Sequence, residues 1–223
     1  ASERVANDLW RALDKEPRTG PDYDLSKAAT RSREVLRGLE AGCAYLKAVD
    51  TAHPIWMNHA PRNSIDQVAA YSRAADIVGC DIYPVPAFGT GHSDIAERTI
   101  AAVGAYTDRM QAAAPNKPVW MVLQGFGWRD LSENPDPDPQ KGRRPDLEET
   151  RFMAYDVIAH GARGILYWGS HYLKSEAFRE SIYALTHELA SLQTMLVAPE
   201  VEGAGVNLIE MREEANPLAV CGT

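Results

Sequence analysis

Residues 119–128, VWMVLQGFGW, form an apolar run with no polar alternation, the pattern of a strand covered on both faces, as in a parallel sheet. Just upstream, residues 94–114 carry Ile100, Val103, Tyr106 and Met110 at helical spacing. This predicts a helix leading through PNKP into the strand. Downstream, residues 129–146, RDLSENPDPDPQKGRRPD, contain four prolines and mixed charge, the mark of a long excursion, and long excursions often carry function. Its basic residues Lys141, Arg143 and Arg144 read as a solvated face. A helix is predicted over 147–160, with Glu148 and Glu149 in the first turn, where the helix dipole favours negative charge. GARGILYWGSH, residues 161–171, reads as the next strand, and residues 175–196 as a long closing helix.

The same alternation extends upstream. Val35, Leu39, Tyr45, Leu46 and Val49 recur at helical steps, predicting a helix over 25–49 bracketed by Asp50 and Pro54. HPIWMNHAPRN predicts a short strand centred on 55–58, residues 65–79 a helix, and CDIYPVP, residues 80–86, a strand stopped by two prolines. Residues 4–13 are a short apolar piece running into the loop DKEPRTGPD. The tail from residue 199 reads as a closing segment or the start of an appended β domain. Strands alternating with helices of ten residues or more imply parallel pairing through right-handed helical crossovers. No Gly-rich turn follows the first strand, and polar and aromatic residues follow several strand ends, so the expected fold is a TIM (β/α)8 barrel. The 223 residues fall short of the roughly 250 of a full barrel. The expectation is therefore an incomplete barrel supplying strands four to eight over residues 1–198, with residues 199–223 as the closing segment, and another chain or a missing segment completing the ring.

With 23 Lys plus Arg against 31 Asp plus Glu, the formal net charge is −8. That balance argues against nucleic acid or an anionic membrane as partner. No run approaches the roughly 18 apolar residues of a membrane span. The opening ASERVANDLW does not resemble a natural start, and localisation, cytoplasmic or secreted with the signal removed, is left open. Cys43, Cys80 and Cys221 are too few and too scattered for a disulfide framework or zinc knuckle and read as free thiols. The histidines lack ligand spacing, so neither metal nor other cofactor is expected.

In a barrel the strand ends share one mouth. They contribute Asp14 and Glu16, Asn58 and His59, Asp81 and Tyr83, Gln124 and Trp128, and Trp168 and His171. Carboxylates and amides between large aromatics suit a hydroxyl-rich ligand such as an oligo- or polysaccharide. If residues 13–16 end a strand, its two-residue period sets Asp14 and Glu16 on one face, where each raises the other's proton affinity. A glutamic acid so placed can donate to a leaving oxygen. Gln124 stands where a retaining glycosidase would want a carboxylate nucleophile about 5 Å from its acid. An amide forms no glycosyl ester and is expected to bind a substrate hydroxyl or acetamido group.

KPVWMVLQGFGW, followed by RRPDLEETRFMAYDVIAHGARGILYW (residues 143–168), resembles the last third of glycoside-hydrolase-like barrels of the β-galactosidase and cellulase superfamily. HPIWMNHAP and ADIVGCDIYPVP resemble their fifth and sixth strands, and LDKEP the end of the fourth. The resemblance covers roughly residues 10–195. It implies glycoside hydrolysis by general acid/base catalysis, with Glu16 on the acid/base position, Gln124 on the nucleophile position and Trp168 on the aromatic floor of the sugar site. The strand-end pattern adds Asp14 as an expected catalytic carboxylate and Asn58, His59, Asp81 and Tyr83, with Gln124 and Trp168, as the expected lining of the sugar site. Glu149, Arg151 and Tyr155 would hold strand ends together. The chain departs from the family at Gln124 and at Lys15. The DKE spacing also resembles chitinase-like barrels with substrate-assisted hydrolysis, and the loss of the nucleophile leaves a binding barrel without turnover as a further alternative.

Overall fold

The computed structural model describes residues 25–60, 64–86, 95–169 and 174–198, with side chains from Arg31 onward. Asp14, Glu16, His171, Cys221 and the tail from residue 199 lie outside the described residues. In chain order the elements are α1 (Leu25–Val49), β1 (Trp56–His59), α2 (Ile65–Ser72), β2 (Ile77–Cys80), α3 (Ala102–Ala113), β3 (Trp120–Gln124), a 3-10 turn (Trp128–Leu131), α4 (Leu147–Ala159), β4 (Gly164–Trp168), α5 (Glu176–Ser191) and α6 (Gln193–Leu196). The chain divides into two compact units, residues 1–182 and 183–223, at a point inside α5.

Local chemistry sets the element ends. At the end of α1 the Asp50 carboxylate accepts from the backbone N–H of Ala52 (3.1 Å) and His53 (3.2 Å), turning the chain toward β1. Ser64 and Gln67 form a reciprocal capping box at the start of α2, and Asp146 and Glu149 form another at the start of α4. The sequence pattern predicts a helix through residue 79, but α2 stops at Ser72. Lys117, just ahead of β3, donates from Nζ to the carbonyls of Ser72 (2.6 Å), Arg73 (2.9 Å) and Ala75, satisfying carbonyls that a continuing helix would have bonded internally. The freed residues 77–80 become β2, buried throughout.

β1 pairs with β2 in parallel, with Trp56 opposite Ile77 and His59 opposite Cys80. β3 pairs with β4 in parallel, with Trp120 opposite Gly164 and Gln124 opposite Trp168. Two isolated parallel bridges, Val78 to Val119 and Asp81 to Val122, join the pairs. Alternation along each strand then sorts the side chains into two rows. Met57, His59, Val78, Cys80, Met121, Leu123 and Tyr167 share one face. On that side α3 packs on β2 and α4 on β3, while α2 meets α3 and α3 meets α4. Val78, Met121, Leu123, Tyr106, Met110, Met153 and Val157 are fully buried there, each large side chain contributing about 1.5–3 kcal/mol by leaving water. The other face carries Trp56, Asn58, Val122, Gln124, Leu166 and Trp168. Above it Tyr83, Val122 and Phe126 form a buried cluster edged by Trp56, Trp128 and Leu166.

The expected TIM barrel is therefore corrected. The described residues form a small α/β protein of six helices and two two-stranded parallel sheets, not strands four to eight of a ring. Strand–helix alternation is common to every parallel α/β architecture. Strand number and closure depend on lateral hydrogen bonds that no periodicity encodes, and here two bridges replace a continuous ladder between β2 and β3. The inference that another chain or segment completes the ring loses its premise with the barrel.

Candidate functional site

Asp81 sits directly after β2, held level with β3 by its bridge to Val122 and by the Ile82 N–H donating to the Val122 carbonyl at 3.1 Å. Asn58 Nδ2 donates to Asp81 Oδ1 at 3.0 Å across the β1–β2 pair. The Tyr83 hydroxyl donates to the same carboxylate, and burial first, then the Asp81 charge, push the phenol far above its ordinary pKa. Tyr83 thus remains a neutral donor at any physiological pH. A carboxylate offers about four lone-pair sites, of which Asn58 and Tyr83 engage two at Asp81.

Beside this network lies an aromatic nest. The Tyr83 ring is 5.1 Å from Phe126, 6.3 Å from Trp128 and 5.8 Å from Trp168, the last pair tilted by only 31°. Phe126 meets Trp168 edge-on at 5.0 Å and Trp128 at 5.1 Å. Phe126 is fully buried, whereas Trp168 is 39% exposed. The indole is therefore backed by rings and still open to solvent. Phe126 belongs to this nest although no strand-end pattern singles it out, and Trp128, expected at the mouth after β3, joins it; the aromatic spacing of GFGW after a buried strand carries both.

Gln124 lies apart from the open surface. It is 0% exposed. Its Oε1 accepts from Val85 N at 2.9 Å, and its Nε2 donates to the carbonyls of Val85 (2.6 Å) and Phe126 (3.1 Å). Both amide hydrogens are engaged by backbone, so the side chain acts as a strut between β3 and the segment after β2. His59 points the other way from Asn58, into the helix-covered face, where its Nε2 lies 3.0 Å from Ser72 Oγ. Burial lowers its pKa, keeping the ring neutral. It also lines a mostly apolar cavity of about 630 Å³ between α1, β1 and α2, with Val35, Leu39, Met57 and Tyr71.

Asn58, Asp81, Tyr83 and Trp168 thus come together, Gln124 lies buried beneath them opposite Trp168, His59 faces the other side of the sheet, and Asp14 and Glu16 are outside the described residues. Glu149 pairs with Arg143 through two bonds of 2.6 Å, and Arg151 lies over the Tyr155 ring at 5.9 Å. Cys80 is fully buried, and burial followed by the neighbouring Asp81 charge drives its thiol pKa upward, so it is no nucleophile. Among the described residues no group of three His, Cys, Asp or Glu side chains could hold a metal ion, and no helix is long and apolar enough to cross a membrane. Compared with known proteins, the chain matches no protein-family model and no curated protein.

Proposed function

We propose that the chain acts on a carbohydrate, seated on the indole of Trp168 and hydrogen-bonded by Asp81, and that it cleaves glycosidic bonds. The observation that carries this reading is the pairing of a solvent-open, ring-backed indole with a carboxylate held by Asn58 and Tyr83. The CH face of a pyranose stacks on such an indole, and its hydroxyls require acceptors at the rim. In this reading Glu16 is the general acid/base with Asp14 beside it, as the resemblance of LDKEP to glycosidase strand ends implies. Tyr83 holds Asp81 in place as a neutral donor. Gln124 supports the site floor by fixing Val85 and takes no part in bond cleavage.

The test is calorimetric titration of the chain with a panel of neutral oligosaccharides, together with a reducing-sugar assay. Trp168→Ala is expected to weaken binding about two- to tenfold, matching the roughly 0.5–1.5 kcal/mol of one aromatic contact. Asp81→Asn, which keeps the shape, is expected to weaken it as well. Glu16→Gln is expected to abolish sugar release while leaving binding intact. Binding that is absent across the panel, or indifferent to Trp168→Ala and Asp81→Asn, overturns the carbohydrate assignment. A second reading, binding without turnover, is favoured by the engagement of Gln124 with backbone at the nucleophile position. Saccharide binding with no sugar release by the native chain distinguishes it.

A further inference from the structure

The proline-rich excursion folds back on the 3-10 turn and encloses a cavity. The Arg129 N–H donates to the Gly142 carbonyl at 2.9 Å. Gly142 has φ +73°, and a Cβ there would lie 2.9 Å from both Arg129 N and Arg129 Cγ. Only glycine permits this return. Asp130, whose side chain is 5% exposed, anchors the fold-back by accepting from Gly127 N (2.8 Å) and from Arg144 Nε (2.8 Å) and Nη2. Arg143 is likewise engaged, by Glu149. The resulting cavity, about 440 Å³, is lined by Arg129, Ser132, Arg143, Arg144 and Lys174, with the carboxylates of Asp130 and Glu133.

The charges in this wall do not cancel. Asp130 is consumed by Arg144, and Arg143 by Glu149 from outside the wall. Among the described residues, neither the Arg129 guanidinium nor the Lys174 ammonium has an ion pair or side-chain hydrogen bond. Asp136 feels Arg129 only through space, its own ion-pair partner being Lys141. Glu133 is exposed and unpaired among the described residues. Two unpaired cations thus face one cavity, with the hydroxyl of Ser132 at its edge. Against the one unpaired carboxylate of Glu133, two unpaired cations leave this half-enclosed wall net positive, and an oxyanion complements it through the Arg fork and the ammonium.

We infer that the cavity between the 3-10 turn and the proline-rich excursion is a binding site for the oxyanion group of a small ligand, held by Arg129 and Lys174. Phosphate and carboxylate share this chemistry. Calorimetric titration of the full chain with inorganic phosphate, with sulfate and with malonate, at ionic strength held constant by sodium chloride, separates the two sources. Saturable one-to-one binding is expected, and tighter binding of phosphate than of malonate identifies a phosphate-type site, the reverse order a carboxylate site. Arg129→Gln and Lys174→Gln are each expected to weaken binding at least about tenfold, the scale of one charge-assisted hydrogen bond. Arg129→Lys, which keeps charge but loses the fork, is expected to fall between. Lys141→Gln, in the same excursion but outside the cavity wall, is expected to leave affinity within about twofold, because its charge is spent on Asp136. Thermal melts matched to the native chain show that the variants remain folded. Absence of saturable binding by any of the three anions overturns the assignment, as does binding that the Arg129 and Lys174 variants leave unchanged. No sugar enters the experiment, so its outcome is independent of the carbohydrate reading.

Discussion

Gln124 shows how a residue's type can be read correctly and its task misassigned. As an amide at a strand end it carries the donors and acceptor of a ligand-binding residue, but all of them bond to Val85 and Phe126 backbone. Gln124→Glu replaces the Nε2 donor with an oxygen facing the carbonyls of Val85 and Phe126. The new carboxyl must be protonated or repelled, and we expect a loss of about 2–4 kcal/mol. Chemical denaturation measures it, and the variant is expected to gain no sugar-releasing activity. A variant as stable as the native chain sinks the strut assignment. His59 is the parallel case: expected beside Asn58 at the sugar site, it lies on the opposite face of the sheet, its Nε2 3.0 Å from Ser72 Oγ.

At the scale of elements, most helices and strands were legible, because their apolar periodicity reports burial directly. The helix over 25–49 has the bounds observed for α1, and the predicted helix over 147–160 differs from α4 by one residue. The failures lie at 65–79, where a continuous apolar pattern hides the stop at Ser72 and the strand at Ile77–Cys80, at the expected strand over 80–86, of which only Cys80 belongs to β2, and at the expected helix over 94–114, which starts at Ala102. Both the helix interior and a fully buried strand are apolar, so pattern could not separate them. The stop depends on Lys117, 45 residues downstream of Ser72. Lys117→Met keeps the aliphatic stem and removes the donor, leaving the carbonyls of Ser72, Arg73 and Ala75 without that partner. We expect a loss of about 1–3 kcal/mol by denaturant unfolding. An unchanged midpoint shows that water serves those carbonyls equally well.

For the whole molecule, the charged groups predict a stability that declines with acid in two stages. Burial holds the His59 pKa below its ordinary value, so the unfolded chain binds that proton more tightly and stability falls as pH drops below about 6.5. Glu149 is lowered chiefly by its bonds from Arg143. Its contribution is present above about pH 4.3, the unfolded value, and is lost as pH falls through the folded one. Asp76, lowered by the Ile55 N–H and then by Lys47, adds to the same stage. Asp156 works in the opposite direction, because burial raises its pKa and its ionisation opposes folding. Thermal melts between pH 3 and pH 8 are expected to show a first decline below about 6.5 that His59→Gln removes, and a steeper one below about 4.3 that Glu149→Gln reduces. A first decline that persists in His59→Gln assigns it to another group.

Sequence by itself determined that this chain alternates apolar strands with helices, that the strands pair in parallel, and that polar and aromatic residues gather after the strand ends. Each of these follows from local periodicity and from the requirement that apolar surface leave water. Tertiary structure alone decided that, among the described residues, the strands form two joined pairs and no barrel. It also decided that Gln124 is buried beneath the aromatic nest with its amide spent on backbone, that His59 turns to the opposite face against Ser72, and that Arg129 and Lys174 face one cavity without ion-pair partners among the described residues. Those outcomes rest on hydrogen bonds and charge pairings between residues dozens of positions apart, which no local pattern records.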